Sequence, residues 1–325
     1  MFSPHAGVPL VLKRQIIAQV SFPAQQLMVH PRKHARSTRL RVRRLNYHLR
    51  HWGPEDAPKL FMFHGWMDVG ASFQFVVDSL ARDWHVIAPD WRGYGMTQWP
   101  DADCYWFPDY LGDLDAILEA LSPGEAVNLV GHSLGGNVVM LYAGVRPERV
   151  ARLVNLEGFG LPGHQTDEAP ARYAKWLGEL RDPPTLKPYP SHQAVAERLR
   201  KTNPHLTEER AAFLADHWAT EEKGEHGAEW RILGDPAHKL INPVLYRVDE
   251  VMACWRGIAA PVLWVNGADS KIYRNMLKLP GFDERLKNIR DLRVVTIEGA
   301  GHMVHHDQPE QVAALIEDFL KSGSE

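Results

Sequence analysis

At 325 residues the chain is longer than an average domain, yet a single large α/β domain with an insertion reaches this size. Apolar residues make up 45% and charged residues 24%, which excludes a disordered chain, and no apolar run approaches the ~20 residues of a membrane-spanning helix. Its two cysteines, Cys104 and Cys254, form no CxxC, which excludes a disulfide framework or cysteine zinc site and points to a reducing, cytoplasmic setting.

The net charge of -3 is unevenly spread: residues 1–54 hold ten of the 37 basic residues and none of the 40 acidic ones. Lys13 and Arg14 precede only the short apolar run IIAQV, which is no secretory signal. Residues 1–37 read as a poorly ordered or peripheral leader. In RLRVRRLNYHLRHWG, Leu40, Val42, Leu45, Tyr47 and Leu49 fall mostly two apart, predicting a hairpin with arginines on its outer face. Arginines alternating along a strand, without stacking aromatics, argue against nucleic-acid binding.

From Lys59 onward strands and helices alternate. KLFMF (59–63) reads as a strand, SFQFVVDSLA (72–81) as a helix and WHVIAPD (84–90) as a strand. Phe107, Tyr110, Leu111, Leu114, Ile117, Leu118 and Leu121 form one apolar stripe, predicting a helix over 107–121. AVNLV (126–130) is a buried strand, GNVVMLYAGV (136–145) a buried helix and RLVNLEG (152–158) the next strand. Alternation then stops: residues 159–247 are proline-rich, charged and aromatic, with helical stretches and no strand run. It resumes with strands in PVLWVNGADS (261–270) and LRVVTIEGAGH (292–302), then a final helix bearing Val312, Leu315, Ile316, Phe319 and Leu320 on one face. Repeated strand–helix units predict a mostly parallel sheet with helices on both faces. The core then comprises 38–158 and 248–325, and 159–247 is a helical cap inserted after the sixth strand. Because such sheets bind ligands beyond the carboxyl ends of their strands, the cap lies over the site.

Gly131-x-Ser133-x-Gly135 sits between a buried strand and a buried helix, the setting of a nucleophile elbow. A serine hydroxyl needs a base, and the base an orienting acid, each at the end of another strand. His302 follows the strand 292–297 and is the candidate base. Asp269 follows the strand 262–266 and is preferred as the acid, since it falls between serine and histidine in the usual order. Glu157, which ends 152–158, is its rival. The oxyanion needs two backbone N–H groups. Leu134, after the serine, offers one; Trp66, in the HGWMD turn after the first parallel strand, offers the other. His64, before Gly65, reads as a hydrogen-bonding strut for that turn.

FHGWMD, APDWRGYGMT, LVGHSLGG, VNGADS and EGAGHMVHHDQPEQV together resemble the α/β-hydrolase family over roughly residues 40–320. The resemblance implies an eight-stranded sheet with a helical cap, a Ser133–His302–Asp269 triad, Trp66 and Leu134 as oxyanion donors, and structural roles for Asp90 and Arg92. NPHLTEE, WRILGDPAHK and NPVLYR in the cap are similar to its serine hydrolase-like branch. The expected activity is hydrolysis of an ester or related small acyl compound, with no cofactor and no metal. Carbon–carbon bond hydrolysis by the same machinery and a ligand-binding role without turnover are the alternatives. A metal site on His302, His305 and His306 is disfavoured, because HMVHHDQP lacks the HExxH spacing. His305 and His306 are instead expected to hold the loop, with Asp307 and Glu310 as a capping box for the last helix.

Overall fold

The computed structural model describes residues 14–17, 32–224 and 227–321, so most of the expected leader over 1–37 lies outside the described residues. Its strands are β1 (Arg14–Ile17), β2 (Arg36–Val42), β3 (Leu45–Trp52), β4 (Lys59–Phe63), β5 (His85–Pro89), β6 (Val127–His132), β7 (Val150–Leu156), β8 (Ala219–Gly224), β9 (Gly227–Ile232), β10 (Val262–Gly267) and β11 (Leu292–Ile297). Helices α1 (Gln74–Ser79), α2 (Phe107–Leu121), α3 (Leu134–Val145), α4 (Ala169–Arg181), α5 (His192–Thr202), α6 (Glu208–Trp218), α7 (Val248–Arg256), α8 (Lys271–Met276), α9 (Phe282–Leu286), α10 (Val304–Asp307) and α11 (Pro309–Lys321) complete it.

The expected eight strands form one sheet, and β1 adds a ninth by pairing parallel to β11 at its edge. The order is β1-β11-β10-β7-β6-β4-β5-β3-β2, and only β3 and its hairpin partner β2 run antiparallel to their neighbours. Alternating side chains divide between two cores: Phe61 and Phe63 face α2, α3 and α7, while Leu60 and Met62 face α1 and α11. Each such fully buried side chain contributes about 1.5–3 kcal/mol. The hairpin behaves as its alternation requires: Val42, Leu45, Tyr47 and Leu49 are buried, and Arg36, Arg39 and Arg41 are exposed.

Between β7 and β10 the chain forms α4, α5 and α6, but also the antiparallel pair β8–β9, where no strand was expected. ATEEKG and GAEWRI carry no apolar run; they pair with each other, and Trp230 bonds through its backbone to Tyr189. α5 and α6 share a small core of Val195, Ala196, Leu206, Ala211, Leu214 and Ala215 with Phe75 of α1, which seats this segment on the sheet domain. No helix among the described residues is long and apolar enough to cross a membrane.

Candidate active site

The chain runs from β4 to β5 on one side, then crosses back to place β6 on the other side of β4. That reversal opens a crevice at the carboxyl ends of β4 and β6. Ser133 follows β6 there, at φ 51° and ψ -111°, before α3 begins at Leu134. The turn is tight enough to require its glycines. A Cβ on Gly131 would stand 2.5 Å from the Gly135 carbonyl oxygen, and one on Gly135 would stand 2.2 Å from that of Phe63. Trp66, Ser133 and Leu134 border one cavity of about 300 Å³. Leu134 opens α3, where backbone N–H groups have no intrahelical acceptor.

His302 lies 3.0 Å from Ser133 Oγ through Nε2, and 2.9 Å from Glu157 Oε2 through Nδ1. The carboxylate at the histidine is therefore Glu157 and not Asp269. Asp269 has its backbone N–H tied to the Ala300 carbonyl, and its side chain, 51% exposed, faces His205 Nε2 at 3.4 Å. Glu157 is fully buried, at φ 59°, just past the end of β7. Its Oε1 accepts from Gly267 N (2.7 Å), and Oε2 accepts from Ser270 Oγ (2.6 Å). Burial pushes its carboxyl above the usual range, against the opposing pull of His302, Ser270 and Gly267. Ser270 belongs to the same NGADS turn as Asp269. Its hydroxyl also accepts from Tyr273 N at the start of α8, and that capping position was the available sequence signal for it.

The surrounding polar residues hold this geometry. His64 Nε2 accepts from Trp91 N (2.8 Å), pinning the turn after β4 to the one after β5. Asp90 accepts from His48 Nδ1 and from Gly70 and Met96 N–H, while Arg92 grips Asp113 with two bonds. His132, kept neutral by burial, bonds the His302 carbonyl at 2.9 Å.

The three histidines of HMVHHDQP separate. His302 turns to Ser133, whereas His305 and His306 are buried with Asp68, each offering a ligand atom within 4.8 Å of the others. Asp68 is already engaged by Val69 N–H and Ser72 Oγ at 2.9 Å each. The expected capping box is not formed by Asp307. Its Oδ2 accepts from Gly301 N (2.8 Å), just before His302, and its Oδ1 from Asn203 Nδ2 (2.7 Å). Arg210 of α6 donates to the His306 carbonyl (2.6 Å) and reaches Glu310 at 3.5 Å. Asn203 and Arg210 thus tie the inserted segment to the histidine loop.

Comparison with known proteins agrees with this architecture. The sequence model of the alpha/beta hydrolase fold matches residues 58–309. The chain belongs to the α/β-hydrolase family. Among α/β-hydrolase relatives, a serine hydrolase-like protein of Danio rerio is 28% identical over 288 residues, covering 84% of each chain. One from Dictyostelium discoideum is 26% identical, covering 83% of this chain and 76% of its own. The 3-hydroxybutyrate-oligomer hydrolase of Cupriavidus necator is 27% identical over 86% of this chain and 93% of its own. A solved thioesterase domain from the curacin biosynthetic pathway superposes with a TM-score of 0.75 at 24% identity, covering 87% of this chain and 99% of its own; that likeness speaks for the α/β-hydrolase fold alone.

Proposed function

We propose that this hydrolase is a serine hydrolase cleaving esters or related acyl compounds, with Ser133 as nucleophile, His302 as base and Glu157 as the orienting acid. The observation that carries the reading is the unbroken run Glu157–His302–Ser133, with contacts of 2.9 and 3.0 Å across three strand ends. Glu157 accepts the Nδ1 proton of His302, leaving the Nε2 lone pair free to take the Ser133 proton. The Ser133 oxygen then attacks the acyl carbon, and the carbonyl oxygen takes the negative charge against the N–H groups of Trp66 and Leu134. Collapse breaks the bond to the leaving group, which receives the proton from His302. A water, deprotonated by the same nitrogen, releases the acid and restores the serine.

The test is labelling by a fluorophosphonate and turnover of p-nitrophenyl butyrate by wild type and Ser133→Ala. Wild type should label at Ser133 and turn over; the variant should do neither while keeping its circular dichroism and melting temperature. A wild-type protein inert to both, or a variant that retains turnover, overturns the reading.

A further inference from the structure

The cavity beside Ser133 is unusual in what its polar groups are already doing. Its volume is about 300 Å³, and its walls are Trp66, Tyr105, Trp106, Phe107, Tyr110 and Leu161. A dry cavity of about 150 Å³ holds a benzene molecule, so this one has room for a phenyl ring and a short linker. Aromatic walls add edge-to-face contacts that favour such a ring.

Three polar side chains also reach the cavity, and each is held in place by contacts within the protein, Asn137 through its oxygen alone. Asn137 Oδ1 accepts from Gly160 N (2.8 Å). Asn242 donates to the Tyr105 carbonyl (3.1 Å) and accepts from Val244 N (2.8 Å). His238 is clamped between Tyr94 and Tyr105, its ring centroid 3.7 and 3.6 Å from theirs, with Nδ1 3.4 Å from the Tyr110 hydroxyl. Burial pulls its imidazole down to about 3, so it is neutral at working pH. The Tyr105 hydroxyl donates to Asp235. Among the described residues lining the cavity there is no Lys, Arg, Asp or Glu. Arg92, whose charge reaches His238, is held by Asp109 and Asp113.

We infer that this pocket selects a neutral aryl-alkanoyl group and rejects acyl groups that carry a carboxylate. A carboxylate placed against these walls gives up water for aromatic faces and meets no cation among the described lining residues; the uncharged Asn137 amide N–H supplies no countercharge, which is the unfavourable case for burying charge. The neutral ring loses nothing polar and gains apolar contact. This rests on the serine hydrolase reading only in placing the acyl group beside Ser133.

The test compares three p-nitrophenyl esters of equal reach, those of 3-phenylpropanoic, 3-(4-carbamoylphenyl)propanoic and 3-(4-carboxyphenyl)propanoic acids. The carbamoyl ester controls for size at zero charge. We expect kcat/KM for the carboxylate ester to fall at least about 100-fold below that of the carbamoyl ester, with the unsubstituted ester best. Comparable rates on the carboxylate and carbamoyl esters overturn the inference. Binding to Ser133→Ala, followed by tryptophan fluorescence with 3-phenylpropanamide and 3-(4-carboxyphenyl)propanamide, reads the pocket without chemistry. Tighter binding of the neutral amide supports the inference even if no ester is hydrolysed, an outcome that sinks the hydrolase reading alone. Equal or tighter binding of the acid overturns the inference whatever the rates.

Discussion

Replacing Glu157 by glutamine tests the site at its most specific joint. Oε2 receives both the His302 ring proton and the Ser270 hydroxyl, while Oε1 receives the Gly267 N–H. A glutamine oxygen kept on Gly267 turns an NH2 group toward His302. The imidazole then has to accept at Nδ1 and carry its proton on Nε2, where it donates to Ser133 instead of receiving from it. By analogy with the serine-protease aspartate-to-asparagine change, the expected loss in kcat is about 10³–10⁴-fold. At about 1.36 kcal/mol per decade this is about 4–5.5 kcal/mol of transition-state stabilisation. Folding should respond in the opposite sense. The Glu157 carboxyl is raised in the fold, so its stabilising contribution is fully present below its unfolded pKa and is lost as pH rises through the folded value. Glutamine does not titrate, so at pH 7 the variant should be at least as stable as wild type. Steady-state turnover of p-nitrophenyl butyrate and urea unfolding at pH 7 measure the two effects. Asp269→Asn, at an exposed side chain, should stay within about threefold of wild type, since surface changes away from buried features perturb little. An inactive Asp269→Asn beside a Glu157→Gln within tenfold of wild type would refute the assignment.

Gly135→Ala forces a Cβ to within 2.2 Å of the Phe63 carbonyl, and should lower the urea-derived stability by about 2–4 kcal/mol or prevent folding. The Asp68 carboxyl, which burial would raise, is brought down from 3.8 to about 2 by the His305 hydrogen bond and the surrounding imidazoles. Its stabilisation is therefore present above the unfolded value and lost as pH falls through about 2. Asp68→Asn should be less stable by about 2 kcal/mol at pH 7, with the gap closing over that acid window in chemical unfolding. Asp307→Ala leaves the Gly301 N–H and the Asn203 amide without their acceptor, at about 1–3 kcal/mol. It should reduce kcat more than it raises KM, because the loosened loop carries His302; a change confined to KM would speak against that coupling.

The sequence was most legible where one physical rule acted alone. The stripe from Phe107 to Leu121 and the run from Leu292 to Ile297 bound their elements to the residue, because apolar periodicity and burial agree there. That Ser133 and His302 would face one another was likewise readable, since each follows a strand whose apolar run is plain. The acid was not. Chain order favoured Asp269, but the turn after β10 is anchored through the Asp269 backbone, which sends that side chain outward and Ser270 inward. The sign for the rival Glu157 was its place at the end of VARLVNL, a strand whose Val150, Leu153, Val154 and Leu156 are buried, where a charge needs partners. The pair β8–β9 was hidden for the converse reason: its charged residues become strand by pairing with each other, not by burying a face.

Ser133 and Glu157 both stand at positive φ, 51° and 59°, where an L side chain is strained and glycine is at ease. Two residues of the proposed site are thus held against their own backbone preference, and the rest of the fold sustains that tension. Ser133→Gly releases it together with the chemistry, and should unfold at higher urea concentration than the active protein. Selecting variants for thermal endurance without monitoring turnover would accordingly enrich the inactive ones at this position.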